Sequence, residues 1–509
     1  MALKRNHTLK TDIAILGIIW LIQAICDRIW LRLDSHIPAW DQTNHLTGSL
    51  NYLHALQNAE WFSGEWWRHL WMLSSKNPPL PYITSAPFQA LFGKGPDSAL
   101  MMNFVFSAIL LLSVYGLGRH LFNRQVGLWA AAFCVLFPRF YTIRIQYLID
   151  YPLAALVTAS FLCLTLWRDA IPKKQQWGWA IAFGLCLGGT IMIKQSVVFF
   201  LFFPLVWLGG KTLWKRDWGR FGQLCTGLLV STVIFFPWYS TNWIFFFGSQ
   251  QVVMSAASNE GDPPLNTLAA WTYYWKDLPR AVSFPLLIVP IVAFIFAVGR
   301  SLIPANSSEK SREKRQNPLH PSLAWLLLYF AGSYLLCSAL FNKDLRYILP
   351  YLPVLSVILA YGFTLIPRRW SGVQWGTVGI AFLLMTLNLF PLGRTPGIFL
   401  TQLLSPQAQL YPYTGQPYPN SDVIAEVINT TPYLEANIGV LARLPEINHN
   451  NMNYYGALAD FQVYGREIGT RHSFIEQDAR SLDWFLTRQN TPESQREATE
   501  KMKAQIQQT

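Results

Sequence analysis

ALMMNFVFSAILLLSVYGLG, residues 99–118, carries no charged side chain over its whole length. About 20 such residues, coiled at roughly 1.5 Å per residue, cross the hydrocarbon of a bilayer. The run ends in a short basic turn, Gly118-Arg119-His120-Leu121-Phe122-Asn123-Arg124-Gln125-Val126-Gly127, and apolar sequence resumes at 126–138, VGLWAAAFCVLFP. Further apolar runs lie at 13–31, 151–167, 177–193, 196–210, 221–240, 281–299, 322–340, 347–366 and 372–390. The pattern predicts an all-α polytopic membrane protein with about eleven transmembrane helices. The run at 126–138 is short, but it must cross for the charges of its flanking loops to alternate.

Composition agrees. The 509 residues are 52% hydrophobic and 13% charged, where a soluble protein would carry about 25% charge. The 22 tryptophans suit membrane interfaces. A net charge of +12 fits cytoplasmic loops rich in Lys and Arg better than it fits nucleic acid. Lys4, Arg5 and Lys10 precede the first run. Alternate loops then carry Arg119 and Arg124; Arg168, Lys173 and Lys174; Lys211, Lys215, Arg216 and Arg220; Arg300, Lys310, Arg312, Lys314 and Arg315; and Arg368 and Arg369. By the positive-inside rule the N-terminus is cytoplasmic, and an odd number of spans puts the C-terminal region outside. The first run lacks a small-residue cleavage site and reads as a retained span. All six cysteines lie within apolar runs, without metal or redox spacing, and read as packing residues.

The charge runs divide the chain. Residues 1–305 form a transmembrane block of eight spans with outer loops 32–98 and 241–280, and 306–320 is a polar cytoplasmic linker. Residues 321–390 form a block of three spans, 391–490 an outer (periplasmic) α/β domain, and 491–509 a polar tail without fixed structure. In the first outer loop Phe62, Trp66, Leu70 and Leu73 share one face of an amphipathic helix suited to the interface plane. The outer domain shows a short helix capped by Ser421 and strands at 437–442 and 461–468.

Charged groups near membrane depth cost roughly 2.5–3.5 kcal/mol each, so each needs a reason. They gather on the outer side. Asp41 stands about ten residues beyond the first span, with His45 one helical turn on. A helix cap and a catalytic acid both fit Asp41, and the two are compatible. Asp150 precedes Tyr151-Pro152 at a helix start, where the macrodipole favours an anion, and Arg144 lies close enough upstream to pair with it. Lys194 ends the fifth span, where snorkelling is the plain reading of a lone lysine. Lys343 and Arg346 occupy an outer turn against the positive-inside trend, which points to an anionic ligand such as phosphate. Two carboxylates and several cations on one outer surface suit a lipid phosphate. A proton or ion pathway would set its ionisable groups near mid-span.

In order and spacing these residues resemble the GT-C membrane glycosyltransferases that use polyprenyl-phosphate sugars. The nearest branch contains the protein O-mannosyltransferases and the lipid A aminoarabinose transferase. Asp41-Gln42 is similar to an Asp-Glu pair in that family's first outer loop, and Lys76-Asn77-Pro78-Pro79 to its Pro-Pro segment. Residues 118–127 resemble its first cytoplasmic turn, Asp150-Tyr151-Pro152 its second acidic position, Lys194 a basic residue ending the fifth span, and Arg346-Tyr347-Ile348-Leu349-Pro350 a late Arg-Tyr-x-Leu-Pro motif. Gln42 departs from the usual Glu, and Asn77 stands where His or Lys is usual, a role the resemblance would pass to Lys76.

The resemblance implies inverting transfer of a sugar from a polyprenyl-phosphate donor to an acceptor glycan, lipid or protein on the outer face. A bacterial inner membrane is favoured, because several eukaryotic relatives carry extra lumenal domains. Asp41 would act as general base and Asp150 would orient the acceptor or a cation. Lys194, Lys343 and Arg346 would hold the leaving phosphate, with Lys76, Arg144, Tyr347, His45 and Gln42 lining the site. Losing the second carboxylate at Gln42 disfavours a tightly bound divalent metal without excluding one. A transporter or flippase for a lipid-linked sugar, and a non-catalytic assembly subunit, remain open alternatives.

Overall fold

The structure is a computed structural model that describes residues 2–259, 261–302, 318–392, 396–469, 474–487 and 493–506. All eleven predicted runs fall in helices. Among the described residues eight helices are long and apolar enough to cross a membrane, from Leu9–Leu33 to Arg368–Leu389. The bent pair Arg124–Leu136 and Pro138–Arg144, kinked by 58°, makes a ninth if it is one broken span. The break lies at Phe137, which precedes Pro138 and takes an extended backbone, because a proline ring disfavours the α region for its predecessor. Ser322–Ser338 is apolar but shorter.

Lys173–Ile191 opens with Lys173-Lys174-Gln175-Gln176 and is not among those eight. Its small residues explain its place. It packs between Asp150–Asp169 and Trp218–Asn259, and a Cβ added at Gly227 would come within 2.7 Å of the Ala180 carbonyl oxygen. Only glycine lets these two backbones approach so closely. Asp150–Asp169 is the centre of the bundle, buried along most of its length and packed on Met102–Leu121 and Lys173–Ile191.

The first loop departs from its predicted face. Its helix is Gly64–Met72, capped by Ser63, whose Oγ accepts from Trp66 N at 3.2 Å. Trp66 and Leu70 are buried, but Phe62 precedes the helix and is fully exposed. Trp238 Nε1 donates to Ser74 O at 2.9 Å and Asn242 Nδ2 to Trp71 O at 2.9 Å, fixing the loop to the long helix.

The C-terminal region is a small α/β unit. Strands β1 (Ala436–Val440), β2 (Val463–Glu467) and β3 (Trp484–Leu486) form a parallel sheet in the order β2-β1-β3. Parallel pairing needs crossovers, and helices His449–Leu458 and Ile475–Ser481 supply them. The predicted helix is Asn420–Thr430, but Ser421 lies inside it and does not cap it. The polar stretch read as unstructured forms a helix at Glu493–Ile506, with Met502 buried. Most of the 306–320 linker lies outside the described residues.

Candidate functional site

Asp41 opens helix Asp41–Gln57. The residue before it, Trp40, takes a left-handed φ of 47°, and no side chain caps the helix. The carboxylate is thus free of cap duty, and its partner comes from far along the chain. Arg346 Nη2 donates to Asp41 Oδ2 at 3.1 Å. The same guanidinium grips Asp344, whose Oδ2 accepts from Arg346 Nε at 2.7 Å and also from Nη2. Asp344 Oδ1 accepts from Arg346 N at 2.9 Å, capping the 3₁₀ turn Leu345–Tyr351. One arginine therefore joins the first loop to the second block of helices.

Beside it, Lys194 Nζ donates to Asp150 Oδ1 at 2.9 Å and sits 4.6 Å from the Tyr347 ring centroid. Asp150 is the first residue of its helix and buried, and it pairs with Lys194 instead of capping. Leu80 N donates to Met192 O at 3.0 Å, holding the Pro78-Pro79 segment close to Lys194. His45 Nδ1 lies 2.8 Å from Tyr82 OH. Gln42 Oε1 accepts from Tyr147 N at 3.2 Å, so the amide that replaces an acid serves the backbone. Lys76 is exposed, near enough for its charge to act on both Asp41 and His45.

Charge balance sets protonation. Burial pushes the Asp41 carboxyl up, but Arg346, then His45 and Lys76, outweigh it and hold Asp41 below the usual carboxylate range. Burial drives His45 down to about 4 against the pull of Asp41 and Asp150, so its imidazole is neutral at neutral pH. Burial also raises Asp344, and the bonds to Arg346 more than reverse it.

Two predicted residues are placed elsewhere. Arg144 does not pair with Asp150. Its Nη2 donates to Asp27 Oδ1 at 2.8 Å and its Nε to Oδ2 at 2.5 Å, a buried bidentate pair inside the bundle. Lys343 turns away from Arg346 and is buried, its Nζ donating to the Leu340 and Ser338 carbonyls at the end of helix Ser322–Ser338. Those carbonyls are the unpaired acceptors of a helix C-terminus, which attract a cation. Sequence reasoning missed Asp344 and Asp27. An acid inside a span is costly enough to have marked Asp27, and Asp344 lies two residues from Arg346. Among the described residues no three His, Cys, Asp or Glu side chains converge as a metal site would require.

The chain is thus a bundle of apolar helices with a carboxylate–guanidinium–ammonium cluster at one mouth, beside a small α/β unit. Comparison with known proteins finds likenesses to membrane glycosyltransferases. Residues 8–252 match the family described as dolichyl-phosphate-mannose-protein mannosyltransferase. Undecaprenyl phosphate-alpha-4-amino-4-deoxy-L-arabinose arabinosyl transferase 2 of Proteus mirabilis is 25% identical over 289 residues, covering 54% of this chain and 47% of the relative. The chain thus spans about half the length of that curated relative. The fold resembles ArnT from Cupriavidus metallidurans at 13% identity. The TM-score is 0.58 for its apo form, covering 94% of this chain and 92% of that one. It is 0.59 for the form bound to undecaprenyl phosphate, covering 94% and 90%.

Proposed function

We propose that this protein transfers a sugar from a polyprenyl phosphate to an acceptor hydroxyl or amine, with inversion, on the outer face of a bacterial inner membrane. The observation that carries this is the unequal state of the three site carboxylates. Asp150 is buried on Lys194, and both Asp344 oxygens are taken by Arg346. Asp41 has one oxygen on Arg346 and a side chain 48% exposed. One accessible base beside cations, with Asp150 and Asp344 both engaged by those cations, suits a single displacement. Asp41 takes the acceptor's proton, and the acceptor atom attacks the anomeric carbon from the side opposite the phosphate. The bond from that carbon to the phosphate oxygen breaks, and the phosphate leaves with the electron pair. Arg346, Lys194 and the exposed Lys76 stabilise its developing charge, an effect worth about 2.7–4 kcal/mol per preorganised donor. Tyr347 holds Lys194 by its ring face.

Similar proteins support a lipid-linked donor. The Cupriavidus protein holds undecaprenyl phosphate, and the Proteus relative is named for an undecaprenyl-phosphate-linked aminoarabinose. The test is Asp41→Asn in purified protein given a polyprenyl-phosphate sugar. Transfer should fall about 100-fold, with donor binding and melting temperature nearly unchanged. Full activity in that variant would remove Asp41 as the base. Donor binding with no turnover by the wild-type chain on any acceptor would favour the flippase reading.

A further inference from the structure

The segment that delivers Asp41 to the site is fastened to the C-terminal unit. Trp30 Nε1 donates to Leu410 O at 2.9 Å, Ser35 N to Tyr413 O at 2.8 Å, and Tyr413 N to Asp34 Oδ1 at 2.7 Å. His36 Nε2 lies 3.6 Å from Glu446. Closest to the site, Asn451 Nδ2 donates to Pro38 O at 3.0 Å, three residues before Asp41. Asn451 is buried and lies on helix His449–Leu458, which packs along helix Asp41–Gln57. Asn448 fixes the start of that helix by accepting from Asn450 N at 2.9 Å and Asn451 N at 3.2 Å.

Between Pro38 and Asp41 stands Trp40, with φ 47° and ψ −111°. An L side chain rarely adopts that conformation, which persists only where surrounding contacts over-determine it. Pro38 has no N–H and offers the segment only its carbonyl, and that carbonyl is what Asn451 holds. Releasing it would let the bend at Trp40 relax and carry Asp41 away from Arg346.

We infer that the C-terminal unit sets the position of the reacting carboxylate, with Asn451 a positioning residue that acts on Asp41 through the Pro38 carbonyl and the strained turn at Trp40. The inference rests on reading Asp41 as the base. It gives the extramembrane unit a defined task in the transfer step.

The experiment uses the full chain in detergent, comparing Asn451→Leu and the near-isosteric Asn451→Asp with Asn453→Leu. Asn453 is the control, because among the described residues its amide bonds only Gly465, at 3.0 and 2.8 Å, within the C-terminal unit. In both Asn451 variants backbone amides over residues 37–45 should exchange about fivefold faster, as befits one lost hydrogen bond. Turnover should fall about tenfold or more at unchanged donor KM, the cost of a misplaced base. The acidic limb of the pH–rate profile should move to higher pH, because Asp41 parted from Arg346 regains a more ordinary affinity for protons. Asn453→Leu should lower the melting temperature of the unit and leave that limb where it is. Unchanged exchange over 37–45 overturns the inference. So does faster exchange with unaltered turnover while Asp41→Asn is inactive, since Asp41 would then act wherever the loop lies. If Asp41→Asn is itself active, the base reading fails on its own account. Faster exchange in Asn451→Leu would then mark a structural contact only.

Discussion

The two ends of the bundle carry ionic clusters of similar make-up and opposite state. At the end that loop charges assign to the cytoplasm, Asp12 is 0% exposed. It accepts from Tyr115 OH at 2.5 Å and from Arg124 Nε, with Arg119 at 3.8 Å. Glycine packing locks the same turn, since a Cβ added at Gly118 would come within 2.7 Å of Gly127 Cα. At the other end Arg346 is divided between two acids, and Asp41 is about half exposed. The first cluster has its carboxylate wholly buried and satisfied by protein donors, and so holds helices together. The second keeps a carboxylate oxygen and lysine N–H groups open to a ligand. Charge content alone does not separate a clasp from a site; accessibility of the last unpaired atom does.

The hardest test of the clasp is Gly127→Leu. Even its Cβ would come within 2.6 Å of the Tyr115 carbonyl oxygen, a backbone atom that cannot move aside. We expect a loss of about 3 kcal/mol or more and little folded protein, read as a collapse of monodisperse yield. Normal yield and melting would mean that the helix pair can separate, and that the turn is not the weld described. Next in size is Asp12→Asn. It removes the charge that three donors share, but both arginines reach water, so the expected cost is roughly 2 kcal/mol, below that of a fully buried pair. The melting temperature should fall while the remaining folded enzyme transfers at the wild-type rate. A loss of turnover without a loss of stability would erase the distinction between the two ends.

Much of this was legible in the chain. Long apolar runs depend little on tertiary context, and all eleven fall in helices. The residues that meet at the site were legible as types in places, Asp41, Asp150, Lys194 and Arg346. Their pairing was not, because it joins positions 305 and 44 residues apart in the chain. Arg144 shows the limit. Proximity in sequence to Asp150 pointed to the wrong acid, and the true partner Asp27 belongs to another helix. Lys343 fails for a related reason, since a carbonyl-lined helix end competes for a cation as well as a phosphate does. The parallel sheet was half visible, because a three-residue strand such as Trp484–Leu486 leaves no pattern to read.

Within the site, Arg346 and Lys194 separate a phosphate cradle from a pair of helix anchors. Arg346→Lys trades a planar fork for a point charge and cannot hold Asp41, Asp344 and a phosphate together. We expect donor affinity to fall about tenfold, or 1.4 kcal/mol, in Arg346→Lys and in Lys194→Met. The double variant should lose less than the sum, since both cations would act on one ligand. Additive losses, measured by titration with a polyprenyl phosphate, would divorce them.

The smallest effect belongs to Lys76, and it probes the open side of the cluster. Its side chain is exposed and bonded to no described residue, yet its charge helps hold Asp41 below the usual carboxylate range, after Arg346 and His45. A base works only when deprotonated, so a lowered carboxyl keeps transfer active above its pKa and loses it as pH falls through that value. Lys76→Met removes one stabilising charge and should move the acidic limb of kcat/KM to slightly higher pH. It should also let His45 rise from about 4, since Lys76 is one of the charges that depress it. Salt supplies the control. An exposed charge is screened within about 10 Å at 0.1 M ionic strength, so the wild-type limb should approach that of Lys76→Met as salt is added. The closer contact of Asp41 with Arg346 should resist that screening, leaving both limbs below the position reached in Arg346→Lys. A Lys76→Met profile that superimposes on wild type at low salt would show that Lys76 does not face Asp41 in the working enzyme, and the phosphate cradle would then rest on Lys194 and Arg346 alone.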